Sequence, residues 1–288
     1  MKKIIAICVA VLSIIPIQAH SETPKTIAII DTAIDSSLLP QVTYEVCFTT
    51  NNSCLNNQKI MEGKNSANVD SAAWSIVGMD HGSEVVQSAL MANKNINIVF
   101  VRISDFTKAT KNYPAYMSNN GNSLDFAIQW IAKNAQKYNI SAVSISQERH
   151  NFAKGTCPSD PIFETSVQSL KSVNIPTLVG VGNDASIDSV GFPACVTDVV
   201  GVGAATFSNQ VYYFSNLGIG VDLMSIGRLD IKMPDGSSRT VMGTSIASPY
   251  AASLWVLKIN GTYQDQIKQS LSFIKIQDKF KNSYPFLS

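Results

Sequence analysis

The stretch Thr26-Ile-Ala-Ile-Ile-Asp31 (TIAIID, residues 26–31) runs apolar without alternation and then stops on an aspartate. A strand with one wet face alternates; one without alternation is buried on both faces, the habit of a parallel sheet covered by helices. The rest of the chain agrees. Residues 96–103, 140–146, 176–181, 198–203 and 221–224 are further short apolar runs. Between them, residues 83–93 place Val85, Val86, Ala89 and Leu90 at helical spacing. Residues 123–138 do the same with Leu124, Ala127, Ile128, Ile131 and Ala135. Helices are also predicted over 162–173, from Thr244 to about Lys258, and from near Tyr263. Residues 41–80 are polar and Asn-rich and read as an irregular, elaborated surface segment carrying Cys47 and Cys54. Alternating strand and helix predict one α/β domain over residues 20–288, with a mainly parallel central sheet flanked by helices. No repeat or linker divides it.

The first residues read as a signal peptide, residues 1–19. Lys2 and Lys3 form a basic start, Ile4 to Ile15 an apolar run of twelve, and Ile17-Gln18-Ala19 a cleavage site. A run of twelve residues is short for a bilayer span, and Pro16 closes it. The expected mature protein is exported, periplasmic or secreted, with no membrane association once the signal is gone. Without Lys2 and Lys3 the chain has 20 basic and 21 acidic residues and no Lys/Arg block, which argues against nucleic acid as a partner. Cys47, Cys54, Cys157 and Cys195 remain, an even number suited to an oxidising compartment.

A second stretch, Gly243-Thr-Ser-Ile-Ala-Ser-Pro249, surrounds one hydroxyl, Ser245, with small residues at a helix start. An N-cap would explain Thr244 or Ser245 equally well. A nucleophilic serine needs a base, and the base an orienting group. Of three histidines, His20 lies at the signal junction and His150 in a polar loop; His81, in Asp80-His-Gly-Ser-Glu-Val-Val86, projects from a helix start. Asp31 supplies a carboxylate at the carboxyl end of a strand, where open α/β sheets gather functional groups. Asn183 follows another strand end, as an Asx-turn residue or as a polar donor.

With these residues in hand, the chain resembles the subtilisin-like serine proteases. Four motifs fall in that family's order: IAIIDTAID (27–35), DHGSEVV (80–86), PTLVGVGND (176–184) and GTSIASP (243–249). GFPACVTDVVGVGA (191–204) and FSNLGIGVDLMSIG (214–227) echo its connections, so the likeness runs from about residue 26 to 259. The resemblance implies a subtilisin-like three-layer fold and an endopeptidase acting on protein or peptide substrates as a monomer. It assigns Ser245 as nucleophile, His81 as general base and acid, Asp31 as the group orienting His81, and Asn183 as an oxyanion donor. It also implies a pocket for the residue before the cleaved bond, with Ser144, Ser146 and Gly180 in its walls and Gly191 near its floor, roomy enough for a large apolar side chain. No cofactor is required by this chemistry. The family's calcium sites find no match here, and the Asp/Asn-rich loops near 51–70 read as solvated.

The chain departs from the family at two points. Ala33 stands where a glycine is usual, which requires a negative φ there. Gln147-Glu148 replaces Leu-Gly in the pocket wall. A catalytically silent subtilisin-like binding protein is the alternative reading, and a periplasmic ligand-binding protein a third, although that needs a second lobe. Transpeptidation would use the same residues as hydrolysis. The four cysteines allow three pairings; the expected ones are Cys47–Cys54, closing a short surface loop, and Cys157–Cys195, joining loops beyond neighbouring strand ends. Eleven residues separate Ala19 from Asp31, too few for a folding propeptide. The exported protein should therefore gain activity as its signal is removed; sequencing the N-terminus during maturation checks this, and a lag ending in a second cut downstream of residue 25 contradicts it.

Overall fold

The computed structural model describes residues 24–288 except 120, 154 and 234. The signal segment and His20 lie outside the described residues. The central sheet has ten strands: β1 (Thr26–Asp31), β2 (Val42–Phe48), β3 (Ile60–Glu62), β4 (Asn97–Arg102), β5 (Ile140–Ile145), β6 (Thr177–Gly180), β7 (Val200–Ala205), β8 (Leu223–Ile226), β9 (Lys275–Gln277) and β10 (Ser283–Leu287). Their order is β9-β10-β8-β7-β6-β5-β1-β4-β2-β3. Every pair from β2 across to β10 is parallel. Only the outermost pairs, β2–β3 and β9–β10, are antiparallel.

Five helices cover this sheet: α1 (His81–Ala92), α2 (Gly121–Asn134), α3 (Pro161–Ser172), α4 (Thr244–Lys258) and α5 (Tyr263–Leu271). Helix α4 packs on α1 and crosses β5, β6, β7 and β8, while α2 packs on α3. Small residues let α4 lie this deep, and from Ile246 to Val256 it is buried throughout. Asp160 caps α3, accepting from the Phe163 N–H, and Pro161 opens the helix where its missing N–H costs nothing. Among the described residues, no helix is long and apolar enough to cross a membrane.

The segment 41–80 differs from its sequence reading. Its first part is β2, which pairs in parallel with β4 and buries Val46, Cys47 and Phe48. The Asn-rich stretch that follows is a turn, with Asn52, Asn57 and Asn65 at positive φ, a conformation asparagine tolerates better than most residues. The tail also does more than end in a helix, since β9 and β10 extend the sheet. Both disulfides pair as expected, Cys47–Cys54 with Cα atoms 6.0 Å apart and Cys157–Cys195 with 5.6 Å.

One contact fixes where β1 meets α1. A Cβ on Gly82 would stand 2.5 Å from the Ala33 carbonyl oxygen and 2.8 Å from the Phe100 ring. The Gly82 N–H donates to Thr32 Oγ1 at 2.8 Å, Thr32 Oγ1 donates to the Met79 carbonyl at 3.0 Å, and the Ala33 N–H reaches that same carbonyl at 3.1 Å. Ala33 itself is fully buried and is not among the positive-φ residues, so its methyl fits without backbone strain. Gly82→Ala is expected to lower unfolding stability by about 1–3 kcal/mol, as overpacking does. Urea titration measures this; an unchanged midpoint contradicts the contact.

Candidate active site

Asp31 ends β1 fully buried, a position a carboxylate holds only with hydrogen bonds or a cation. Its Oδ1 accepts from the Thr32 N–H at 2.7 Å and lies 2.7 Å from His81 Nδ1. Oδ2 is also buried and meets no donor among the described residues. A carboxylate only accepts, so Nδ1 of His81 carries the proton and Nε2 is left as the basic nitrogen. The His81 side chain is 24% exposed and opens onto a cleft of about 270 Å³.

Ser245, Asn183, Ser146 and Gly180 line that same cleft. Ser245 is the second residue of α4, ahead of the first intrahelical bonds, and among the described residues its N–H has no acceptor. Gly243 before the helix has φ 149°, and a Cβ there would stand 2.9 Å from Ser245 Oγ and 3.5 Å from Asn183 Oδ1. Glycine therefore clears the space between hydroxyl and amide. Asn183 accepts from the Thr244 N–H through Oδ1 at 2.9 Å, which orients its amide and leaves the Nδ2 donors free. Thr244 returns the favour to the same loop, its Oγ1 accepting from the Gly182 N–H at 3.1 Å.

The other pocket residues divide. Ser146 lines the cleft, and its hydroxyl donates to the Ser245 carbonyl at 2.8 Å. That carbonyl would ordinarily accept from the residue four positions on, which is Pro249 and has no N–H. Ser144, by contrast, is fully buried and shares a 2.9 Å hydrogen bond with Ser248, so it anchors α4 and does not reach the cleft. Strand alternation would put both serines on one face; they part because Ser144 lies beneath α4 while Ser146 stands past the end of β5. Gly191 is buried beneath Glu148, whose carboxyl oxygen occupies the space a glycine floor would leave. The expectation of room for a large apolar side chain is corrected on that account. Across the cleft, Gln147 accepts from the Asn119 side chain and ties the wall to the hairpin of residues 104–119.

Two contributions to the site escaped the sequence reading. Asn216, fully buried, accepts from the Asp184 and Ser186 N–H groups at 3.0 Å each and donates to the Val181 carbonyl at 3.0 Å, shaping the loop that carries Asn183. The hairpin of Arg228–Lys232 and Ser238–Met242 sends Arg239 to Asp80 and to Glu84, the latter at 3.2 Å, on both sides of His81 in sequence. Nothing in Arg239 alone marks it, since its partners lie more than 150 positions away.

Burial lowers the pKa of His81, but Asp31, by charge and by hydrogen bond, and then Glu84 and Asp80 outweigh it and push it up to about 9. A pKa raised in the folded state stabilises the fold fully below the ordinary value of 6.5, and that contribution fades as pH rises through about 9. Arg239 offsets the two helix-start carboxylates. Arg239→Gln should therefore raise the His81 pKa further, read by NMR titration of its ring; a pKa that falls or stays put contradicts the coupling.

The family model of the subtilase family matches residues 24–272. Subtilisin NAT from Bacillus subtilis subsp. natto is 25% identical over 208 residues, 68% of this chain and 52% of the relative. A subtilisin from Bacillus pumilus is 24% identical, over 68% of this chain and 72% of that protein. The chain thus spans about half the length of the former and of several similar curated relatives. Among solved structures, a cold-adapted subtilisin-like serine proteinase superposes with a TM-score of 0.61 at 20% identity, covering 91% of this chain and 87% of that one. A protease from Pseudoalteromonas arctica gives 0.68 at 15%, covering 92% and 87%. These two share its fold, and the family match settles the kinship: the chain belongs to the subtilase family.

Proposed function

We propose that this chain is an exported, monomeric serine endopeptidase that hydrolyses peptide bonds through an acyl-enzyme. The observation that carries the reading is the buried Asp31–His81 pair at 2.7 Å, opening on a cleft shared with Ser245 and Asn183. In this mechanism His81 Nε2 takes the Ser245 hydroxyl proton as Oγ attacks the scissile carbonyl carbon. Asp31 holds the imidazole tautomer and stabilises the imidazolium without taking the proton. The Asn183 side-chain amide and the Ser245 N–H donate to the oxyanion, where the start of α4 also favours negative charge. The C–N bond breaks as His81 protonates the leaving amine. Water, deprotonated by the same nitrogen, then releases the acid and restores Ser245. No cofactor enters these steps.

Ser245→Ala, His81→Ala and Asp31→Asn should each nearly abolish hydrolysis of a peptide library by the purified protein, and the losses should overlap because the residues act as one unit. A Ser245→Ala/His81→Ala double variant much slower than either single variant contradicts the relay. Asn183→Ala should reduce kcat by roughly 10²–10³ with little change in KM, the magnitude known for the corresponding donor in subtilisin. An unchanged kcat leaves Asn183 a turn residue only.

His81 must be neutral to accept a proton, so a raised pKa delays activity on the pH scale. The acid limb of kcat/KM should have its midpoint above pH 6.5, displaced towards 9. A midpoint at or below 6.5 contradicts the electrostatic account of the pair.

A further inference from the structure

Glu148 leaves the end of β5 and tucks its carboxyl group into the wall of the cleft. Its Oε2 lies 2.9 Å from where a Cβ on Gly191 would stand and 2.6 Å from where one on Gly182 would stand. A side chain at either position would evict it, so the two glycines make a slot that holds a carboxylate. Asp184 adds a second acidic group beside it, accepting from Asn151 Nδ2 at 3.0 Å. Burial first, and the Asp184 charge second, push the Glu148 carboxyl up to about 7, while the Asn183 backbone N–H pulls it back down.

Among the described residues, no ion pair reaches either of these two carboxyl groups. Arg149, the adjacent residue, turns elsewhere: its guanidinium covers the Phe192 ring at 4.9 Å and sits over Gly121 at the start of α2. Among the described residues, no lysine, arginine or histidine nitrogen lies within 4 Å of the Glu148 carboxyl. Glu148 thus holds its carboxyl group between two glycines and beside a second acidic side chain, an arrangement that a cation would complete.

The cleft gives that cation a definite origin. Among its lining residues Met117 neighbours Gly78, while Glu148 neighbours Gly182, the residue before Asn183. A carbonyl whose oxygen meets the Asn183 amide and the Ser245 N–H carries its own side chain into the nearer slot, between residues 146–148 and 180–183. We infer that Glu148, backed by Asp184, selects a lysine or arginine side chain on the residue that supplies the scissile carbonyl. The inference rests on the hydrolytic reading for the placement of that carbonyl. The aliphatic stem would run over Gly180, and the charged head would make charge-assisted hydrogen bonds with the carboxyl groups.

The test separates the slot from the chemistry. Ser245→Ala protein, which cannot acylate, is titrated by calorimetry at pH 8.5 with three peptides identical except for arginine, citrulline or phenylalanine at that residue. Citrulline keeps the shape of arginine and removes its charge. Arginine should bind at least about tenfold tighter than citrulline or phenylalanine. Glu148→Gln in the same background should erase that preference, and Asp184→Asn should shrink it. Equal binding of arginine and citrulline, a preference for arginine that survives Glu148→Gln, or no binding of any peptide overturns the inference. Failure of the hydrolytic reading looks different: native Ser245 resists a fluorophosphonate while the Ser245→Ala protein still distinguishes arginine from citrulline.

Discussion

A carboxylate buried without access to water is the constraint on which the site is built. Asp31 is placed at the end of a strand hydrogen-bonded on both sides, by β4 and by β5, and the chain must bring it a partner. The partner is His81, and it can come only as close as the start of α1 allows. Gly82 sets that approach by removing the side chain that would strike the Ala33 carbonyl. The ring's position follows from backbone packing, and the packing is tied by the bonds converging on the Met79 carbonyl. The charge that makes Asp31 costly to bury is the same charge that makes His81 a stronger base than an ordinary histidine.

The other half of the site depends on α4 being sunk into the sheet. Ser144 and Ser248 bond one another beneath the helix, and Ser248 also reaches the Leu178 carbonyl at 3.1 Å. Pro249 leaves a helix carbonyl without its usual donor, and Ser146, just past the end of β5, supplies one. The first turn of α4 is consequently fixed to β5 and, through Thr244, to the loop after β6. Rigid elements, each bonded to the next, hold Ser245 and Asn183 in one cleft with His81. Such preorganisation is what an oxyanion donor needs to favour a transition state over a bound substrate.

The parallel sheet was legible because buried strands leave a local trace, as in the unbroken TIAIID run, and helix α4 because its small residues lie close together in sequence. Strand β2 was not, since Tyr44 and Glu45 interrupt its apolar pattern and only pairing with β4 makes it a strand. Asp31, His81, Ser245 and Asn183 stood out because their chemistry sits in short motifs. Ser144 was placed in the pocket by likeness, and its contact with Ser248, 104 positions away, is invisible in the chain. Asn216 and Arg239 act through long-range hydrogen bonds that carry no local signature. Glu148 was visible as a departure, but only the two glycines facing it from other segments reveal that its carboxyl group has a slot.

The central claim is that the Asp31–His81 pair activates Ser245. It is tested most directly by the rate at which a fluorophosphonate modifies the protein as pH is varied, with the labelled residue identified by mass spectrometry and the His81 ring titrated by NMR in the same preparation. The account predicts a single adduct on Ser245, formed at a rate that rises in step with deprotonation of His81 and collapses in Asp31→Asn. An adduct elsewhere, or a Ser245 rate indifferent to the His81 titration, would contradict it.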